Sequence, residues 1–445
     1  MNREKIKESV LLKYRNKVES RYRQRTPRSS IRIEQFATKY MPGGDYREAI
    51  WFEPYPTVMM SGDGCYLNDI DGNKYIDFSN CWTALVLGNN PPNVVGAITK
   101  QAKQSIALSA PTDSVYEWAK LICDRVPSIE RIRFCCSGSE ANMFAIRAAR
   151  AYTGKDKVLK MEGGYHGTYD PLETSVGWQK LPIGLPKSIE SDVLVTRFND
   201  KDKAEAIITK NRDKLAAVIV EGIIGAGGMI PPEYNYLQFL REVTEKNDIL
   251  LILDEVISFR LAYGGAQEIY NIKPDLTVLG KVIGGGLPVG AFGGREDIMA
   301  VFSPKREPHA HHTGTFVATP LVVAAGIATL NELTTEAIER INQLGDLLAN
   351  GMKRALADLK INAQVTGYGS LHQVHFTSEL VTHAAVSTSQ NKELLHLFHL
   401  SMLNKGICIP ARCMFSVSTP MVESEITQTV NAVHSIISEL NHWGS

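Results

Sequence analysis

The chain has 445 residues, 44% of them hydrophobic and 22% charged, and its 48 basic and 48 acidic side chains cancel to a formal net charge of zero. That length exceeds what one hydrophobic core usually serves, so more than one domain is expected, while the balanced charge gives no footing for nucleic acid or a membrane surface, and no apolar run reaches the roughly 18 residues of a spanning helix. Seven cysteines without a C-x-x-C pair suggest reduced thiols rather than a disulfide framework or a metal site.

The N-terminal stretch MNREKIKESVLLKYRNKVESRYRQR alternates Lys and Arg with Glu4, Glu8 and Glu19. Its acidic residues and the lack of a continuous apolar segment speak against a secretory leader, so a solvated helix and a cytoplasmic protein are expected. In YLNDIDGNKYIDF, Asp71-Gly72 stands between two alternating stretches and predicts a hairpin turn. From about residue 130 to 330 the runs RIRFCC, KVLKM, AAVIVEG, ILLILDE and LTVLG alternate with helical patterns, which predicts an α/β domain on a mostly parallel sheet. Beyond TPLVVAAGIATLNELT, helical periodicity near 335–358 and 424–440 brackets the strand candidates LHQVHF and GICIP, predicting a smaller α+β domain. The expected division is 1–80, a helix and segment packing with the small domain, then a large domain over 81–330 and the small domain over 331–445.

Four features carry chemistry. In FCCSGSEANMFAIRAAR a strand-like run ends in Ser137-Gly138-Ser139 and an amphipathic helix begins near Glu140. Free amides and a partial positive charge at a helix N-terminus suit an anion, and Gly138 allows close approach, although an ordinary Ser–Glu cap has the same letters. In GGYHG, Tyr165 and His166 stand among glycines directly after KVLKM. An aromatic displayed there can stack on a flat ligand, and a plain turn with a surface tyrosine fits equally well. ILLILDEV brings Asp254 to the C-terminal end of a buried parallel strand, the edge at which open α/β sheets bind ligands. A carboxylate there is either a cap or the partner of a cation such as a ring nitrogen.

Lys281 follows LTVLG one strand later, and a single βαβ step brings both strand ends to one edge of the sheet. VLGKVIGGGLPVG is not a nucleotide loop, because Asp275 stands where a glycine is needed and Val282 where Ser or Thr is needed. A helix start, an aromatic, a carboxylate and a lysine in this order describe what pyridoxal phosphate needs. The lysine forms a Schiff base, the carboxylate keeps the pyridine nitrogen protonated, the aromatic covers the ring and the helix terminus holds the phosphate.

SGSEAN, AYTGKDKV, GGYHG, LDEV and LGKVIGGGLPVGAFGG stand in an order that resembles the class III, fold-type I pyridoxal-phosphate aminotransferases. The similarity runs from about residue 35 to 440 and lies in the branch of glutamate-1-semialdehyde aminomutase and the β-amino-acid aminotransferases. It implies an α/β fold with a mostly parallel seven-stranded sheet in the large domain, a small α+β domain, and pyridoxal 5'-phosphate as cofactor with no metal. By that resemblance Lys281 is the Schiff-base lysine and proton shuttle, Asp254 the pyridine-nitrogen partner, and Val256 the residue packing on the ring face opposite Tyr165. Gly138 and Ser139 match the phosphate cup, and His166 and Glu221 join the cofactor-binding set. HHTGTF is similar to a segment whose threonine reaches the phosphate of the neighbouring subunit's cofactor, so Thr315 implies a homodimer with shared active sites. Gly222 and Ile224 depart from the proline and glutamine of many members, removing a side-chain hydrogen bond near the cofactor's phenolic oxygen. The glycines after Lys281 are expected to leave room for the cofactor and the adjoining subunit.

An amino-acid substrate needs a cation for its carboxylate, and the arginine fork matches one bidentately. MPGGDYREAIWFEPYP is similar in register to the β-amino-acid enzymes and places Arg47 on their carboxylate-binding arginine, whereas the aminomutases usually carry theirs where this chain has Ile50. GICIPARCMF places Arg412 on a mobile arginine of the same enzymes, which serves the acceptor's carboxylate. Trp82, in YIDFSNCWTALVLGNNPP, instead matches a tryptophan typical of the aminomutases. The expected activity is ping-pong transamination from an amino acid, a β-amino acid such as β-phenylalanine, to 2-oxoglutarate or pyruvate. The alternative is intramolecular transfer of the glutamate-1-semialdehyde aminomutase kind, and a surface ion pair is the other fate open to each arginine.

Overall fold

A computed structural model of the chain describes residues 3–176 and 181–444. Three short strands, β1 (Met59–Asp63), β2 (Tyr66–Asp69) and β3 (Lys74–Asp77), precede a central seven-stranded sheet formed by β4 (Arg131–Cys135), β5 (Lys157–Met161), β6 (Val193–Thr196), β7 (Leu215–Glu221), β8 (Leu250–Asp254), β9 (Leu276–Gly280) and β10 (Gly290–Gly294). The strands lie in the order β4-β10-β9-β8-β7-β5-β6. β5 to β9 pair in parallel, and β10 runs antiparallel to both of its neighbours.

Every residue of β7, β8 and β9 is buried, because helices cover both faces of this part of the sheet and a continuous apolar run is then the stable choice. On one face the helix Gly138–Thr153 packs Ala141, Ala145, Ala148 and Phe144, with Phe144 stacked on Phe292 of β10 at 5.5 Å. On the other, Leu237, Leu240 and Val243 of the helix Tyr236–Lys246 meet Val218, Val220 and Leu251.

The five predicted strands of this region are all present, and two more escaped prediction. VLVT, which forms β6, is a four-residue edge strand. GAFGG, which forms β10, has the composition of a loop, yet its glycines are demanded by sterics. A Cβ at Gly290 would lie 1.9 Å from the Ser137 carbonyl oxygen, and one at Gly294 would lie 2.2 Å from that of Asp275.

The predicted hairpin joins two strands, Tyr66–Asp69 and Lys74–Asp77, with Gly72 at φ 87° in the turn. The short strand Ile407–Cys408 pairs in parallel with the second of these, so the N-terminal segment and the C-terminal part of the chain share a four-stranded sheet. Gln364–Tyr368, Leu371–His375 and Met414–Ser416 form a separate three-stranded sheet, flanked by the long helix Thr335–Asp358. The N-terminal helix is solvated on one side only. Tyr14, Val18 and Tyr22, spaced one turn apart, are buried against the helices Lys392–Asn404 and Glu423–Gly444.

Candidate active site

Parallel pairing of β8 with β9 sets Asp254 opposite Val278, and the chain leaves β9 three residues later into the turn Lys281–Gly284. Lys281 itself adopts φ 47°. A long side chain in the left-handed region is uncommon and marks a strained position. The glycines beyond it correct one expectation, because packing rather than an open space accounts for two of them. A Cβ at Gly284 would meet Val289 at 2.4 Å, and one at Gly285, where φ is 59°, would meet Thr329 and the Ala325 carbonyl at 2.6 and 2.7 Å.

The Asp254 carboxylate is 3% exposed and fully engaged. Oδ2 accepts from Asn142 Nδ2 at 2.7 Å and lies 2.8 Å from His166 Nδ1, while Oδ1 accepts from the Val256 amide at 3.0 Å. The last of these is the local cap; the other two come from a helix and a loop remote in sequence. Lys281 shares this environment. Burial pushes its amine down to about 8, and the nearby Asp254 and Glu221 oppose the shift while Arg412 adds to it. The residue as a whole is half-buried.

The helix Gly138–Thr153 starts with Ser137 as its cap, whose Oγ accepts from the Glu140 amide at 3.2 Å, while Glu140 Oε2 accepts from Cys136 N at 2.8 Å. The cap reading of this motif is therefore correct, and it leaves the Gly138 and Ser139 amides at the helix start without partners among the described residues. Gly138 stands against Val256, because a Cβ there would approach it to 3.2 Å. The GGYHG loop folds over the same helix start. The Thr168 amide donates to Ser139 Oγ at 3.1 Å, and at Gly167, φ 92°, a Cβ would lie 2.2 Å from that oxygen. Glu221, at the end of β7, ties this loop down, accepting from the Tyr165 amide at 2.9 Å and from the Gly225 amide at 3.0 Å. Burial raises the Glu221 carboxyl above its ordinary range.

The substrate candidates meet around one ring. The guanidinium carbon of Arg47 lies 5.9 Å from the Trp82 ring centroid and that of Arg412 lies 4.7 Å from it, both within reach of a cation–π contact. Arg412 is pushed down to about 10 by burial, with Glu221 and Tyr165 opposing. Tyr165 is 40% exposed; burial raises its hydroxyl, Glu173 adds to this, and Arg412 and Arg47 pull it back. Thr315 stands apart, exposed in a turn ahead of the helix Pro320–Glu332. Asn142 went unpredicted. Asn142 was detectable as the residue one turn beyond Gly138 on the face that must meet the sheet.

These residues fit pyridoxal phosphate. The His166 Nε2 atom is buried without a partner among the described residues, the two free amides suit a phosphate, and the Lys281 amine shares its electrostatic surroundings with a triply hydrogen-bonded carboxylate.

Comparison with known proteins agrees with the fit. The family model described as aminotransferase class-III matches residues 49–434. The glutamate-1-semialdehyde 2,1-aminomutase of Methanothermobacter thermautotrophicus is 37% identical over 414 residues, 91% of this chain and 98% of that protein. The solved structure of a β-phenylalanine aminotransferase from Variovorax paradoxus is similar with a TM-score of 0.91 and 34% identity, covering 96% of this chain and 97% of that one. A transaminase with pyridoxal phosphate bound gives a TM-score of 0.88 at 33% identity over 94% of this chain and 99% of that one. The chain therefore belongs to the class-III aminotransferases, enzymes of the fold-type I architecture that depend on pyridoxal phosphate.

Proposed function

We propose that this enzyme moves an amino group between two carboxylate-bearing partners, from an amino acid, a β-amino acid such as β-phenylalanine, to a 2-oxo acid such as 2-oxoglutarate or pyruvate. The observation that carries this reading is the pair of arginines at one indole, Arg47 and Arg412 at Trp82. Ile50, which stands where the aminomutases usually carry their cation, lines an apolar cavity instead.

When bound, pyridoxal phosphate supplies the aldehyde that takes the amino group and a ring that stores the electron pair released with the proton. Asp254 would hold the ring nitrogen, Gly138 and Ser139 the phosphate, and Tyr165 and Val256 the two ring faces. Asn142 and His166 keep the Asp254 carboxylate in place. With its amine near 8, Lys281 has a substantial neutral fraction at mildly alkaline pH and serves as the group that takes up a proton and returns it. Arg47 would bind the donor's carboxylate and Arg412 the acceptor's. Thr315 is assigned to the phosphate of a second subunit, which makes the homodimer the working form.

The second reading, intramolecular amino transfer, is favoured by a different observation. The relative that shares 37% identity over 91% of the chain is named an aminomutase, and by name the curated relatives weigh more on this side than on the first. One experiment separates the two. Purified enzyme incubated with β-phenylalanine and 2-oxoglutarate forms glutamate on the first reading. Failure to do so, with turnover of glutamate-1-semialdehyde, rejects it for the second.

A further inference from the structure

Asn80, Cys81, Trp82 and Thr83 have φ values of 45°, 48°, 58° and 75°. Four consecutive non-glycine residues in the left-handed region form a turn that L-residues avoid, because each Cβ crowds the following carbonyl. Such a conformation persists only when its surroundings hold it. Both ends are held here. Asp77, 2% exposed, accepts from the Ser79 and Asn80 amides at 3.0 and 2.9 Å through Oδ1 and from Asn89 Nδ2 at 3.1 Å through Oδ2. At the other end Arg260 is fully buried and, among the described residues, makes no ion pair with a carboxylate. It donates to the Thr83 carbonyl at 3.3 Å, to Ser416 Oγ at 2.8 Å, to Ser370 Oγ at 3.2 Å and to the Val417 carbonyl. A guanidinium in the core without a carboxylate is costly unless its donors are used, and here they fasten the turn to the three-stranded sheet.

The residue at the centre of this turn is Trp82. Its ring stands within 6 Å of the Arg47 and Arg412 guanidinium carbons, and it packs beside the cluster of Ile223, Met229, Ile257 and Met414. Together with Cys81 it also lines a cavity of about 550 Å³, which Ile33, Phe36, Phe52 and Met59 line as well. That volume is in the range that accepts a small organic ligand.

We infer that the strained turn Asn80–Thr83 is a specificity device: it fixes Trp82 as the partition between the arginine-bearing site and the apolar cavity, and so limits the length of the apolar side chain the amino-acid substrate can carry. The inference rests on the amino-transfer reading above and adds to it the chemical class of the substrate's side chain, a short alkyl or single aryl group, with longer aryl-alkyl chains excluded by the indole.

The test uses the holoenzyme and a graded series of β-amino acids, 3-aminobutanoate, β-phenylalanine and 3-amino-5-phenylpentanoate. The readout is the rate at which each discharges the visible absorption band of the bound cofactor. Two variants are compared with the wild type. Cys81→Gly puts the residue that tolerates positive φ into the turn, and Trp82→Ala removes the partition. Cys81→Gly is expected to raise Tm by roughly 1–3 °C, because glycine relieves the left-handed strain. Trp82→Ala is expected to increase the rate ratio of the longest to the shortest amino acid by about tenfold or more, while Cys81→Gly, which keeps the turn and the indole in place, leaves the ratio at the wild-type value. An unchanged ratio in Trp82→Ala, or a fall in Tm for Cys81→Gly, overturns the inference and leaves amino transfer standing. If no member of the series discharges the wild-type band, the amino-transfer reading falls and this inference with it.

Discussion

Asn142→Leu tests how Asp254 is held. The Asn142 side chain is 1% exposed and gives the buried carboxylate its shortest hydrogen bond, 2.7 Å, beside His166 at 2.8 Å and the Val256 amide at 3.0 Å. Leucine has nearly the same shape and no donor, so packing is kept and one charge-assisted bond is lost, at a cost of about 2–3 kcal/mol. Part of this returns, because Asn142 Oδ1 is itself buried without a partner among the described residues, and removing an unsatisfied carbonyl restores about 1 kcal/mol. The net loss is about 1–2 kcal/mol. It appears as a lower midpoint of urea unfolding for the cofactor-free protein and, since Asp254 would hold the ring nitrogen, as a roughly tenfold weaker affinity for pyridoxal phosphate. An Asn142→Leu protein that matches the wild type in both measurements would refute the assignment of Asn142 as the residue that orients Asp254.

Other consequences follow from the same geometry. The Lys281 amine, brought by burial from its ordinary 10.5 down to about 8, is mostly protonated below that pH. Uptake of pyridoxal phosphate by the cofactor-free protein is therefore expected to speed up from about pH 7 to about pH 9 and then level off, and a flat stopped-flow profile would count against it. The stability sign agrees. Between about 8 and 10.5 the unfolded chain binds a proton at this lysine that the folded chain has released, so the cofactor-free protein gains stability as pH rises through that window. Gly290→Ala drives a methyl group into the Ser137 carbonyl, 1.9 Å away, and either destabilises the fold by about 3 kcal/mol or more or prevents it from accumulating. A soluble Gly290→Ala variant with an unchanged Tm would contradict the close approach of β10 to the helix cap. Arg412→Met is expected to raise KM for the 2-oxo acid by about 10- to 100-fold with a smaller effect on the amino donor, and Arg47→Met the reverse. Steady-state kinetics with each substrate varied in turn checks the split, and equal effects of either variant on both substrates would reject separate carboxylate roles.

Much of the central sheet was legible because its strands are buried on both faces, so ILLILD and LTVLG show as unbroken apolar runs ending in a carboxylate and a lysine. That pattern also revealed the meeting of Asp254 with Lys281, since adjacent parallel strands must end at one edge. GAFGG hid its strand because its glycines are there to admit neighbouring backbone, a constraint visible only once Ser137 and Asp275 are in place. The left-handed turn at Asn80–Thr83 was equally hidden. Composition signals positive φ through glycine, and here the conformation is held by Asp77, three residues before the turn, together with Arg260, which comes from a distant part of the chain. The solvated reading of the N-terminal helix missed Tyr14, Val18 and Tyr22 for a related reason, because the charged residues between them mask a stripe repeated every fourth position.

The proposed chemistry depends on Lys281, at the end of β9 beside Asp254, as the residue that would take up the cofactor. Borohydride reduction of the holoenzyme followed by peptide mapping tests it directly, because reduction fixes the cofactor to the lysine that holds it. The label is expected on the peptide containing Lys281, and Lys281→Ala is expected to abolish both label and amine turnover. A label on another lysine, above all on Lys160, whose amine is also buried and pushed down to about 7 by that burial, would contradict it.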